Sequence, residues 1–243
     1  MSTRGPENDS PAMFNTTRWS LVLAASAPAS AEAREELARS YWFPLYVFAR
    51  RKGASPQEAE EAVQVYLSRI LQSEALANLE VEGGRFRNYL RTGLANQLIS
   101  TQRRAASSLR HPVGGFVFVD GLGPEARLAA EPADPHTPEQ SYDRLCARAL
   151  LDRTLERLRE EHVQKGQAPL FQHLAACLDG DPDSATHAAA AAMLGLSQGT
   201  VRNAVGAFRR RFQALFRQEV AATLVDPTGV DDEIRHLLTA VAT

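Results

Sequence analysis

The sequence predicts an all-α protein of two small helical domains joined by a flexible linker, the second domain containing a helix-turn-helix. Three observations predict it. Val, Ile and Thr are sparse while Ala, Leu, Arg, Glu and Gln dominate, and these are the residues that lose least entropy on entering a helix. Apolar residues recur with helical spacing in several blocks. A stretch dense in Pro and Gly separates those blocks. At 243 residues with 44% hydrophobic content, the chain can form one unit or divide into lobes of roughly 100 residues each.

Taken in order, residues 1–12 are polar with two prolines and read as a disordered leader. The first domain is expected over 13–105. Trp19, Leu21, Val22 and Leu23 open it, and a helix over about 31–52 carries Leu37, Tyr41, Trp42, Leu45, Tyr46 and Phe48 before Gly53 ends it. Pro44 is expected to bend that helix, because it removes one backbone bond and clashes with the preceding turn. Ser55, Pro56 and Glu58 make a capping box with proline at the first helical position, so a second helix starts there. Its Ala59, Ala62, Val63, Tyr66, Leu67, Ile70 and Leu71 form one apolar stripe, which faces the core or a partner helix. Gly83 and Gly84 break the chain, and a third helix over about 85–104 buries Phe86, Tyr89, Leu90, Leu94 and Leu98.

Over 106–140 the periodicity collapses, and nine prolines and glycines from Pro112 to Pro138 mark a flexible linker, acidic from Asp120 to Glu139. Its apolar run Phe116 to Val119 reads either as a transient strand or as a segment packed on a neighbouring domain. The second domain is expected over 141–225, with helices near 142–165 and 169–178 and then a helix pair. The tail, 226–243, ends in a short amphipathic helix from about Asp231 with Ile234, Leu237, Leu238 and Val241 on one face, expected to dock on the second domain.

The formal charge is −2, which by itself argues against a polyanionic partner. Segregation reverses that argument. From Gly83 to Val119 there is no acidic residue but six arginines, Arg85, Arg87, Arg91, Arg103, Arg104 and Arg110. Ser184 to Gln218 is also free of acids and carries Arg202, Arg209, Arg210, Arg211 and Arg217. Two basic blocks in an acidic background suggest two contacts on one polyanion.

The first thirty residues hold no apolar run long enough for a signal peptide, and nowhere do about 18 apolar residues follow one another, so a cytoplasmic protein with no membrane partner is expected. Cys146 and Cys177 lack metal-ligand spacing and read as buried thiols. No metal or cofactor is expected. An enzyme is not expected either: His111, His136, His162, His173, His187 and His236 are scattered, and no phosphate-cradling glycine loop or nucleophile turn occurs.

The most specific local signal is Ala188 to Arg211. A helix-turn-helix needs small residues where its helices touch and a glycine where the chain turns. Ala191 allows close contact, Gly195 permits a left-handed turn, and Val201 plugs the interface from the second helix. Ala190, Leu194, Leu196 and Ala204 fill the other apolar positions, and Ser197 caps the second helix. The stripe Val201, Val205, Phe208, Phe212 and Leu215 leaves Gln198, Thr200, Arg202, Asn203, Arg209 and Arg210 facing outward. In a major groove, Arg reads guanine and Asn or Gln reads adenine. The other basic block interleaves Phe86 and Tyr89 with Arg85, Arg87, Asn88 and Arg91. Aromatic and guanidinium planes stack on unpaired bases, so this block suits a melted segment. Helical spacing offers the core as the alternative place for both rings.

Several strings together resemble the extracytoplasmic-function sigma factors of the sigma-70 family, from about Phe14 onward. They are TRWSLVLAA, YWFPLYVFARRKGASPQEAEEAVQVYLSRIL, GRFRNYLRTGLANQLIS, HTPEQSYDR, AAMLGLSQGTVRNAVGAFRRRF and VDDEIRHLL. The resemblance implies core RNA polymerase and promoter DNA as partners. It implies that the helix from Ala59 to Leu71 grips the polymerase clamp through Glu61, Gln64, Tyr66 and Leu67. It places Arg85, Arg87, Asn88, Arg91, Asn96, Arg103 and Arg104 at the −10 element and Gln198, Thr200, Arg202, Asn203, Arg209 and Arg210 at the −35 element. Control by an anti-sigma factor or by a regulatory kinase is left undecided between the two.

The chain departs from the family pattern in three places: Val65 follows Gln64 where an acid is usual, Gly206 and Ala207 replace polar and basic residues, and Ala188 to Ala192 lack the usual acid. Two rival readings therefore stand beside a sigma factor. One is a stand-alone helix-turn-helix regulator that binds DNA without polymerase, and the other is a sigma-like polymerase adaptor with weakened DNA recognition.

Overall fold

Apolar periodicity and capping motifs place most of the helices where the sequence puts them, and one long helix joins them into a single assembly. A computed structural model describes residues 31–71, 85–105, 123–131, 135–178, 180, 184–224 and 226–242. The expected leader, the Trp19 to Leu23 segment, the Gly83–Gly84 break and the Phe116 to Val119 run lie outside those residues. So do the side chains of Arg103 and Arg104.

Helix α1 (Ala31–Arg51) continues through Pro44, and Gly53 leaves it at a φ of +95°. Helix α2 (Pro56–Ile70) starts at the expected capping box: the Glu58 amide donates to Ser55 Oγ at 3.3 Å, and the Ser55 amide donates to Glu58 Oε2 at 2.8 Å. Helix α3 (Phe86–Ala105) crosses α2 at Gly93, where an added Cβ would meet the ring carbons of Tyr66 at 2.8 and 2.9 Å. Only a glycine accepts that approach, which is why a poor helix former sits mid-helix.

The linker expectation needs correction over part of its length. Pro124–Ala130 is a short helix, α4, whose Pro124 occupies the first turn where no amide donor is needed. It lies on α1: Glu125 accepts hydrogen bonds from Tyr46 and from Arg50 Nε, the latter at 2.7 Å, and the Arg127 guanidinium lies 3.9 Å from the centre of the Phe43 ring. Seven residues are too few for a periodicity to stand out among the surrounding prolines.

Helix α5 (Pro138–Gln164) begins four residues before Tyr142, at a second capping box made by Thr137 and Gln140. At 1.5 Å per residue it is about 40 Å long, enough to span two layers of packing. Its first turns lie inside the cluster formed by α1, α2 and α3: Tyr142, Leu145 and Cys146 are buried with Tyr46, Phe48, Tyr66, Phe86 and Leu94. Residues 141–146 were assigned from sequence to the second unit, yet their side chains complete the core of the first. Further along, Leu158 packs with Phe171, Leu174 and Cys177 of α6 (Ala168–Ala176) and its C-terminal cap, and with Val205, Phe208 and Leu215 of α8 (Gln198–Ala221). Between these clusters Ala147 and Leu150 meet Phe216, Val220 and Leu224, and the last helix closes over them.

That last helix, α9 (Val230–Ala242), follows a 3-10 turn at Pro227–Gly229 and buries Val230 and Leu237, with Ile234 half-buried, whereas Leu238 and Val241, expected on the same face, are exposed. The fold class is therefore all-α: the described residues hold no strand, and only an isolated bridge pairs Arg85 with Leu224. Among the described residues no helix is long and apolar enough to cross a membrane.

Candidate nucleic-acid interface

Helix α7 (Ser184–Leu194) and α8 are joined by Gly195, Leu196 and Ser197. The joint has the geometry the sequence asked for. Gly195 has a φ of +65°, the Leu196 amide donates to Ala191 O at 2.9 Å, and the Gly195 amide to Ala192 O at 3.4 Å. This is the Schellman termination, in which a left-handed residue lets two amides return to the last carbonyls of the helix. Ser197 then caps α8 by accepting from the Thr200 amide at 3.1 Å. Ala190, Ala191 and Val201 form a small buried cluster of their own that fixes the angle between the two helices. Leu196, expected to fill an apolar position, is exposed, as is Met193 beside it. The Leu196 amide is used in the termination, and that turn holds its side chain away from the cluster.

On α8 the buried side is Val201, Val205, Phe208, Leu215, Phe216 and Val220, with Phe212 half-buried. Its opposite side presents Thr200, Arg202, Asn203 and Arg210 to solvent, with Gln198 half-buried at the first turn. The Thr200 hydroxyl lies 2.8 Å from Ser197 Oγ, so part of its hydrogen-bonding capacity serves the cap. Nη1 of Arg210 stands 3.6 Å from where a Cβ on Gly206 would be, so this glycine leaves the guanidinium room to lie along the helix. Among the described residues no ion pair holds Arg210.

Arg209 departs from its expected role. Its Nε and Nη2 donate to Cys177 O at 3.2 and 2.7 Å, and Nη2 also donates to Gly180 O at 2.8 Å. The guanidinium thus satisfies the carbonyl of Cys177 at the C-terminal cap of α6 and that of Gly180 beyond it, and ties α8 to the segment before α7. Arg211 makes a two-point pair with Glu161 at 3.0 and 2.5 Å, and this hydrogen bonding holds the Glu161 carboxyl below the usual carboxylate range.

The upstream basic block is arranged differently. Arg87 is 3% exposed, where the sequence reading placed it on DNA. Its Nε and Nη2 donate to Glu233 of α9 at 2.7 and 3.3 Å, and Nη1 donates to Asp143 of α5. Arg85 Nε stands 2.9 Å from the other oxygen of Glu233, and Arg91 Nη1 reaches Asp143 at 3.5 Å. His236 of α9 completes the group, with Nε2 3.1 Å from Asp143 Oδ2. Asp143 and Glu233 are 8% and 0% exposed. Burial opposes the charged form of Arg87, but hydrogen bonding to Glu233 and the charges of both carboxylates outweigh it and push its pKa up. A buried cation so placed has its partners supplied from elements far along the chain, which no local pattern announces.

Asn88 is half-buried and Asn96 is exposed one face around α3. Phe86 takes the core alternative, packing edge-on against Tyr41 at 5.5 Å, and Tyr89 lies half-buried beside it. Of the residues expected to meet a polymerase, Glu61 is exposed and Gln64 half-buried on α2, next to an exposed Val65. Tyr66 and Leu67 belong to the core instead. Tyr66 spans the α2–α3 contact and donates its hydroxyl to Tyr89 O at 3.3 Å, and burial pushes its pKa up. Among the described residues no three His, Cys, Asp or Glu side chains are grouped to hold a metal ion.

Compared with protein families, with curated proteins and with solved structures, the chain matches none.

Proposed function

We propose that this chain is a promoter-recognition factor of the sigma kind, which brings core RNA polymerase to DNA. The observation that carries the reading is the outer face of α8. A helix held at a fixed angle by the Ala190, Ala191 and Val201 contact and a glycine turn presents Arg202, Asn203 and Arg210 together, with Gln198 and Thr200 at its first turn. Arg and Asn at neighbouring outward positions supply donors for guanine and adenine edges, while Arg210 supplies a mobile charge for a phosphate. This joint is a helix-turn-helix in the functional sense, with α8 entering the major groove.

The rest of the assignment is argued from placement. Glu61, Gln64 and Val65 on the open side of α2 give a mixed polar and apolar face of the kind that a helical polymerase element would cover. The α3 arginines and Asn96 would serve the melted −10 region. Their carboxylate partners favour a second reading, a regulator that binds duplex DNA through α8 alone, because Arg85, Arg87 and Arg91 already have anions beside them.

Run-off transcription separates the two. Purified core polymerase would be incubated with and without this protein on a fragmented genomic library, and the 5′ ends sequenced. Starts that depend on the protein and share two spaced elements support the sigma reading. Duplex binding with no polymerase association and no starts removes it in favour of the regulator.

A further inference from the structure

Arg85, just before α3, and Arg87 and Arg91 on it lie in a stretch that offers no acid of its own. Among the described residues every carboxylate that meets them comes from another element. Asp143 belongs to α5, whose first turns are built into the core and cannot leave without unfolding it. Glu233 belongs to α9, which rests on the outside of the assembly through two fully buried apolar side chains and one half-buried one.

The geometry at Glu233 is that of an anion in an arginine fork. One oxygen accepts from Arg87 Nε at 2.7 Å, and the other lies 2.9 Å from Arg85 Nε and 3.3 Å from Arg87 Nη2. Guanidinium pairs bind carboxylate and phosphate with the same planar, two-point geometry. The neighbouring Asp231 pairs with Arg217 of α8, a second and exposed ionic contact of the same first turn with another element. From this we infer that α9 is a displaceable acidic latch, whose Glu233 carboxylate occupies the α3 arginine cluster in place of a nucleic-acid phosphate. This rests on the reading of α3 as a single-strand contact. In the closed chain the α8 face stays open to duplex DNA while the α3 cluster is filled. The cluster takes up a single strand once α9 leaves.

The test uses the full chain and two fluorescent probes, a single-stranded oligonucleotide and a duplex carrying the selected upstream element. Glu233→Gln keeps the shape of the side chain and removes its charge. Single-strand affinity should rise about tenfold, the factor expected when a closed state that competes with binding loses about 1.4 kcal/mol. The salt slope for the single strand should steepen by about 1.4, at about 0.7 per phosphate for the two arginines that Glu233 holds. Duplex affinity should not change.

A second measurement needs no variant. Hydrogen–deuterium exchange of the wild-type chain saturated with the single strand should rise over 230–242 and stay unchanged over α1 and α5. Duplex binding retained with Glu233→Gln no tighter on the single strand, or with α9 equally protected in the single-strand complex, overturns the latch and leaves the proposed function standing. Loss of binding to both probes in wild type and variant alike overturns the proposed function and the latch with it.

Discussion

Replacing Arg209 by alanine distinguishes a fold-holding arginine from one proposed to read DNA on the same helix. The wild-type guanidinium makes three hydrogen bonds to two main-chain carbonyls, at 3.2 and 2.7 Å to Cys177 O and 2.8 Å to Gly180 O. Hydrogen bonds to charged groups contribute about 1.5–3 kcal/mol each when buried. The Gly180 contact is exposed and the two to Cys177 share one acceptor, so the sum is taken near the lower end, about 2–3 kcal/mol. For a chain of this size each kcal/mol moves the midpoint by about 2–4 °C, which puts the expected fall in Tm at about 5–10 °C. Arg209→Lys should recover less than half of that, because one ammonium cannot reach both carbonyls as a planar fork does. Thermal unfolding followed by circular dichroism gives the shift, and fluorescence anisotropy well below the midpoint gives duplex affinity. An unchanged Tm together with an affinity loss of about tenfold would refute the assignment and return Arg209 to the DNA face.

Three other outcomes follow from particular contacts. Arg202→Ala should relax sequence preference at one base pair of the upstream element, whereas Arg210→Ala should weaken all duplexes alike and flatten the salt slope by about 0.9; selection from a randomised library and a salt titration read the two effects. Gly93→Ala sets a helix-propensity gain of about 1 kcal/mol against about 1–3 kcal/mol of overpacking on the Tyr66 ring, and a net loss of stability in urea is expected because that ring is buried and cannot move aside. His173 has its pKa lowered from 6.5 by burial and by facing His187, so the folded chain prefers the neutral ring. Its contribution is complete above 6.5 and is lost as the pH falls through that value toward the lower folded one, so Tm should drop over that window in the wild type and less in His173→Gln.

Much of the candidate interface was legible because its determinants are local. Gly195 and Ser197 act within a few residues of themselves, through a left-handed turn and a cap, and Val201 reaches Ala191 across that same turn. The outward set on α8 follows from the apolar stripe on its other side. What periodicity could not separate was Arg209 from Arg210, since neighbouring arginines at the edge of a stripe look alike in sequence. Their difference lies in where the end of α6 leaves its carbonyls. Tyr66 and Leu67 were drawn toward a partner surface by resemblance, although their own stripe already offered the core. Helix α4 was missed because seven residues among prolines carry too little pattern, while the start of α5 had a readable signal in Thr137, Pro138 and Gln140.

By itself the sequence determined the all-α class, the bounds of α1, α2 and α3 to within a few residues, the start of α8, the turn at Gly195 and the two basic blocks. These depend on spacings of one to four residues, where helical geometry leaves little choice. Only the tertiary structure decided that α5 serves two clusters at once and that Arg87 faces inward. Arg87 and Glu233 are separated by 146 residues, and Arg87 and Asp143 by 56. Such pairs are formed by how helices pack, and a charge seen along the chain carries no mark of whether its partner will be another side chain or a phosphate.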